Sequence, residues 1–166
     1  MSDRYIDVLE FVYSRKWLAS LLLAVSHLTV ILSVLAYGYL VYRHITVSVW
    51  ALAVFIAATA LPFFLVTLLR RLIDAKRPYE LSGLFDIPPK DTKGRSFPSR
   101  HAYSAFSVAV TLCAVHLSYG IALAVLALLM SVARVLLGLH FTRDVLAGGS
   151  MGVISGAACI FTLSLL

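Results

Sequence analysis

Four long stretches of this chain contain no aspartate, glutamate, lysine or arginine, and they constrain the fold more than any other feature. They are residues 17–42, 44–69, 101–133 and 145–166. A helix needs about 20 apolar residues to cross a bilayer. Of the whole chain, 61% is hydrophobic, whereas a soluble domain is about 45–50% apolar. The sequence therefore predicts a protein whose helices cross a membrane.

The longest of these stretches has room for two spans, and its natural turn is His116-Leu117-Ser118-Tyr119-Gly120. Each of the others has room for one span. We therefore predict five spans, at residues 18–42, 46–69, 100–117, 120–140 and 144–165. The predicted fold is an all-α membrane bundle, with residues 1–166 forming a single domain.

The N-terminal segment, residues 1–16, has an amphipathic pattern. Its apolar residues at helical spacing are Ile6, Leu9, Val12 and Tyr13. A helix of this kind lies in the interface plane of a bilayer, so we predict an interfacial helix; a solvated arm is the alternative. In the first span, His27 is expected to be a buried, neutral imidazole that bonds a neighbouring helix.

Glycines recur every four residues in the last span, at Gly148, Gly152 and Gly156. Small residues on one helix face allow close helix packing. We expect this face to pack inside the bundle; a seam between two copies in a homodimer is the alternative.

The net charge of +6 does not indicate a nucleic-acid partner, because the cations flank the spans without interleaved aromatic residues. Cys113 and Cys159 lie within predicted spans and have no metal-ligand spacing. We therefore expect no bound metal and no cofactor.

Three polar segments between the spans carry the reactive side chains. They are Arg70-x6-Arg77-Pro78, Pro98-Ser99-Arg100-His101 and Arg134-x5-His140-x3-Asp144. The connection over residues 70–100 is rich in proline and charge and is long for a helix–helix loop. We expect it to cover the site as a lid, partly helical near its start.

These segments resemble the signature of the type 2 phosphatidic acid phosphatase (PAP2) superfamily, which reads Lys-x6-Arg-Pro, Pro-Ser-Gly-His and Ser-Arg-x5-His-x3-Asp. The order and internal spacings are the same, and the resemblance covers about residues 45–166. The chain differs at Arg70, where the family has lysine, at Arg100, where it has glycine, and at Ala133, where it has serine.

The resemblance implies a site for phosphoryl transfer, and the residue chemistry agrees. Transfer of a phosphoryl group depends on placement and on stabilising charged oxygens, and the arginine fork can bond two such oxygens. The expected phosphate-binding residues are Arg70, Arg77, Ser99, Arg100 and Arg134. Arg100 either blocks the approach of the phosphate to the backbone or reaches a second phosphate of a diphosphate.

The two histidines receive different roles. His140 is the expected nucleophile, which forms a phosphohistidine intermediate, and Asp144 fixes its tautomer and ring orientation. His101 is the expected general acid for the leaving oxygen. The resemblance thus implies a metal-independent phosphatase acting on a lipid phosphate in the bilayer.

The sequence does not choose among phosphatidate, phosphatidylglycerol phosphate and polyprenyl phosphates or diphosphates as the substrate. Two other functions remain open: a PAP2-like protein that binds a lipid phosphate without turnover, and a small lipid transporter. We predict a multi-pass protein of the cell membrane. Thirteen of the 14 lysines and arginines lie on the predicted site side, which the positive-inside rule assigns to the cytoplasm, whereas the resemblance favours the outer face.

Overall fold

The computed structural model describes residues 3–82 and 94–166, and this part of the chain is helical without β-strands. The helices are α1 (Asp3–Tyr13), α2 (Lys16–Val47), α3 (Val49–Ile73), α4 (Pro78–Ser82), α5 (Arg100–Cys113), α6 (Leu117–Leu136) and α7 (Thr142–Leu163). The predicted all-α fold is confirmed. Residues 83–93, the middle of the predicted lid, lie outside the described residues.

Four segments of the described chain are long and apolar enough to cross a membrane. They are α2, Val49–Ser82 (which contains α3 and α4), α6 and α7. Helix α5 has only 14 residues, which is about 21 Å of helix, less than the hydrocarbon thickness of about 30 Å. It is shorter than the predicted span because His116 already has extended backbone and begins the next helix.

Helix α5 lies in the middle of the bundle, in contact with α2, α3, α6 and α7. Its closest partner is α7, along the glycine face. A Cβ atom on Gly148 would collide with the backbone of Ser99, and one on Gly152 with the backbone of Tyr103. The glycine face is therefore occupied by α5, as expected, and the homodimer seam would need the same surface.

A cluster of buried side chains joins the long helices around α5. Its members are Leu40, Phe55, Ala109, Leu112, Leu123 and Cys159. The outer surface of the bundle is also apolar, with large exposed side chains such as Trp17, Leu65 and Ile154. An apolar surface of this extent is suited to lipid contact.

Helix α1 forms where the sequence predicts it, whereas His27 differs from the sequence-based prediction. Residues Leu9 and Val12 of α1 are buried, and Val12 packs in a cluster with Leu137 and Leu139. His27 is exposed on α2, so the prediction of a buried imidazole is wrong. The inward stripe of α2 contains Ser26, Thr29 and Ser33, and His27, one residue after Ser26, points about 100° away from it.

The helix directions bring the three polar segments to one end of the bundle. Helices α3 and α6 end there, and α5 and α7 begin there. Backbone hydrogen bonds join them: the amide of Ser96 donates to the carbonyl of Ala75 at 2.8 Å, and that of Ser99 to the carbonyl of Asp144 at 2.9 Å.

Candidate active site

Arg70 and Arg77 of the first segment are buried and bonded to backbone carbonyls. Arg70 lies in the last turn of α3, is 6% exposed, and donates from Nη1 to the carbonyl of Pro98 at 2.8 Å. Arg77, also 6% exposed, donates from Nε to the carbonyl of Gly94 at 3.0 Å and from Nη1 to that of Leu139 at 3.4 Å. These bonds orient the guanidinium groups without neutralising them.

The carboxylates nearest to this segment bind backbone amides instead. Glu80 Oε1 accepts from the amide of Gly94 at 2.7 Å and from that of Arg77 at 3.3 Å. Asp74 Oδ1 accepts from the amide of Arg95 at 3.2 Å. They hold the two ends of the long connection beside α3.

Arg134, in the last turn of α6, is 5% exposed, and its Nε has no hydrogen-bond partner among the described residues. Within residues 3–82 and 94–166, neither Arg134 nor Arg70 nor Arg77 pairs with a carboxylate; both ion pairs there involve Asp144. Burying an unpaired charge is costly. An arrangement of this kind is typical of a site that receives an anion.

The turn between α6 and α7 carries His140, which is only 1% exposed. Its Nδ1 lies 3.6 Å from Asp144 Oδ2 and 3.4 Å from Ser96 Oγ. Asp144 is fully buried in the first turn of α7, where Oδ2 accepts from the amide of Phe141 at 2.9 Å and from the hydroxyl of Ser96. Since Nδ1 faces Asp144, Nε2 is the ring nitrogen left for a substrate.

The imidazole of His140 is kept neutral by its surroundings. Its pKa is lowered from the ordinary 6.5 to about 4, mainly by burial and also by the nearby charges of Arg134 and Arg77, although Asp144 opposes the shift. A ring with this pKa is unprotonated at neutral pH and has a free electron pair.

The first turn of α5 supplies the residues of the second segment. Ser99 is fully buried and caps the helix, accepting from the amide of Ala102 at 3.4 Å. Arg100 is exposed, lies within electrostatic range of Arg70, and forms no ion pair within the described residues. His101 is half-buried beside it.

A cavity of about 550 Å³ begins at Arg100 and His101 and extends between α2, α3, α5 and α6. Its wall is mainly apolar, with a few hydroxyls. Two of its lining residues, Val34 and Phe63, are also 64% and 40% exposed, so the cavity reaches the outer surface of the bundle.

The structure brings the predicted site residues to one end of the bundle, and it adds one that the sequence reading missed. Ser96 is fully buried and bonds Asp144, although it lies 48 residues away in sequence. Its only sequence signal was a hydroxyl two residues before Pro98, at the edge of the second segment. The described residues contain no group of three metal-ligating side chains.

Comparison with known protein families shows to which family the chain belongs. The model of the PAP2 superfamily matches residues 50–164. The chain belongs to the PAP2 superfamily. The match includes all three polar segments, so the PAP2 relationship covers the whole candidate site.

Two crystal structures share the PAP2 fold of this chain. One is the first transmembrane PAP2 type phosphatidylglycerolphosphate phosphatase from Bacillus subtilis, with a TM-score of 0.71, 21% identity, and coverage of 98% of this chain and 86% of that one. The other is Aquifex aeolicus LpxE, with a TM-score of 0.70, 24% identity and 93% coverage of each chain. No curated protein matches the chain.

Proposed function

We propose that this PAP2 protein is a membrane lipid phosphatase that hydrolyses a phosphomonoester or diphosphate through a phosphohistidine on His140. The observation that carries the proposal is the set of buried arginines, Arg70, Arg77 and Arg134, which have no carboxylate partner in the described chain. Such a set suits a phosphate, whose charged oxygens would compensate the cations. A neutral imidazole beside them supplies the nucleophile.

In the proposed first step, Nε2 of His140 attacks phosphorus while the bond from phosphorus to the leaving oxygen breaks. His101 donates its proton to that oxygen. The three buried arginines hold the charge on the equatorial oxygens, which is the main requirement of such a transition state. No step requires a metal, because the arginines supply the positive charge.

In the second step, water attacks the phosphohistidine and returns the imidazole. His101, now neutral, accepts a proton from that water and is ready for the next cycle. Asp144 supports both steps by holding the Nδ1 side of His140, and it is held in turn by the hydroxyl of Ser96 and the amide of Phe141. A fixed tautomer keeps the Nε2 electron pair directed at phosphorus.

The cavity supports a lipid as the substrate. It begins beside His101, the proposed donor to the leaving group, and reaches the outer surface at Val34 and Phe63. A leaving group with an apolar tail would extend along it into the bilayer. The structurally similar Bacillus subtilis protein is a phosphatidylglycerolphosphate phosphatase. Phosphatidylglycerol phosphate is therefore one of the candidate substrates here, with phosphatidate and polyprenyl phosphates or diphosphates.

The test is phosphate release by detergent-purified protein from these lipids, with EDTA present. We expect release from at least one of them, and its loss in His140→Ala. Release that requires added metal, or that persists in His140→Ala, would contradict the proposal. No release from any lipid by folded protein would favour lipid binding without turnover or lipid transport.

The same set of lipid substrates also tests the role of Arg100. It shares the cavity wall with His101, so a phosphate in the leaving group would lie beside its guanidinium. We expect Arg100→Gly to lower the preference for a polyprenyl diphosphate over the monophosphate, with Arg100→Lys intermediate. An unchanged preference would rule out contact with a second phosphate.

A further inference from the structure

Helix α1 packs directly on the turn that carries His140. Val12 is buried in a cluster with Leu137 and Leu139, and Leu9 is fully buried. A Cβ atom on Gly138 would lie 3.1 Å from Cδ2 of Leu9, which is tighter than ordinary van der Waals contact. The N-terminal segment and the turn between α6 and α7 therefore form one packed unit.

Two tyrosines of the N-terminal segment bond the end of α6. The hydroxyl of Tyr5 donates to the carbonyl of Val135 at 2.7 Å, and that of Tyr13 to the carbonyl of Leu137 at 3.0 Å. The last carbonyls of a helix lack the regular helical amide partner. Here the carbonyl of Val135 also accepts from the amide of Gly138 at 3.0 Å, so the hydroxyl of Tyr5 is a second donor to it. Burial raises the pKa of both tyrosines to about 12, so they remain donors across the neutral range.

The same turn is also fixed by backbone hydrogen bonds to other parts of the bundle. The amides of Leu139 and His140 both donate to the carbonyl of Arg134, at 3.0 and 3.3 Å, and the carbonyl of Gly138 accepts from the amide of Tyr79 at 3.1 Å. Gly138 has a φ of +66°, so the chain reverses sharply here. The position of the His140 ring therefore depends on bonds to both faces of the turn.

We propose that Tyr5 and Tyr13 are positioning residues for His140. Through the carbonyls of Val135 and Leu137 they fix the turn from its outer face and so keep the imidazole aligned with phosphorus. Among the described residues their hydroxyls donate to these backbone carbonyls and not to the imidazole. The inference rests on the proposed function, and it makes α1 part of the catalytic apparatus rather than a membrane anchor alone.

The test uses Tyr5→Phe, Tyr13→Phe and the double variant, which remove hydroxyls and keep the rings. A displacement of about 1 Å in a reacting group can cost roughly a hundredfold in rate. We expect kcat for the best lipid substrate to fall roughly tenfold in each single variant and further in the double variant. KM should stay within about twofold, because Arg70 and Arg77 are also held by the carbonyls of Pro98 and Gly94, which lie outside the turn. Tyr42→Phe, exposed on α2, is the matched control and should keep the wild-type kcat.

Hydrogen exchange separates positioning from general loosening of the fold. The amides of residues 137–141 should exchange faster in the variants, while those of α5 and α7 keep their wild-type rates. Wild-type kcat in both single variants would overturn the proposal. Equal loosening of α5 and α7 would also overturn it, as would a rise in KM at constant kcat. Absence of turnover in the wild type is a separate result, which would instead refute the proposed phosphatase.

Discussion

At the scale of single residues, the site is defined by charge that the described protein does not neutralise. Among the described residues, Arg134 has a buried Nε without a partner, and Arg70 and Arg77 bond only carbonyls. If these arginines served the fold, carboxylates would be expected beside them. The nearby Glu80 instead binds backbone amides, which leaves the positive charge for a ligand.

A substitution at Arg134 tests this reading through stability and activity together. Arg134→Met removes a buried, unpaired charge and keeps most of the side-chain volume. We expect the free energy of unfolding to rise by about 1–3 kcal/mol, while the rate of phosphate release falls roughly 10²–10³-fold. Arg71→Met, the exposed neighbour of Arg70, should change neither. Loss of stability with retained activity would identify Arg134 as structural.

The ionisation of His140 can be measured directly. In ring-labelled protein, the histidine signal that is absent from His140→Gln should titrate near pH 4, because burial disfavours the imidazolium. Since the folded pKa lies below 6.5, His140 contributes stability above that pH and loses it progressively as the pH falls towards 4. A midpoint at or above 6.5 would contradict a nucleophile that is neutral in the resting site.

At the scale of helices, the close contact between α5 and α7 holds the second and third polar segments together. Gly148 meets the backbone of Ser99, which begins α5. Gly148→Ala should push the two helix starts apart, costing about 1–3 kcal/mol of stability and lowering activity. Gly38→Ala is the control, because no atom lies within 4 Å of its added Cβ. Equal behaviour of the two variants in thermal unfolding would show that the contact is not needed.

The helices themselves were predictable because apolar length is a local property of the sequence. Each of α2, α6 and α7 overlaps a predicted span, although α2 continues through Arg43 to Val47 and α6 ends at Leu136 rather than at residue 140. Features that depend on how the helices pack in three dimensions were not predictable in this way. Examples are the short α5, the packing of α1 on the turn beside α6, and the exposed His27.

The candidate site was predictable in its residue types and spacing, but its connections were not. The segments around Arg70, His101 and His140 were found from motif spacing, whereas the hydroxyl of Ser96 on Asp144 arises only when the chain folds. The cavity beside His101 likewise arises only on folding, because residues of four helices line it. No local pattern in the sequence encodes such a space.

At the scale of the whole molecule, the side of the membrane that the site faces is open to a direct test. The site end collects most of the cations, and Arg43 lies at the other end. We predict an outer-face site, so that in intact cells an impermeant thiol reagent labels Ser82→Cys and not Tyr119→Cys, in a background without Cys113 and Cys159. The reverse labelling pattern would place the site in the cytoplasm.

The central claim is that His140 carries the phosphoryl group during turnover. The most direct measurement is to mix the protein with its best lipid substrate, labelled in the phosphate that is released, and stop the reaction with alkali within one turnover. A phosphohistidine survives alkali and is lost in acid. The account predicts label on the peptide that contains His140, none in His140→Ala, and persistence of the label in the presence of EDTA. Turnover by the wild type without labelled protein, or label on another residue, would contradict it.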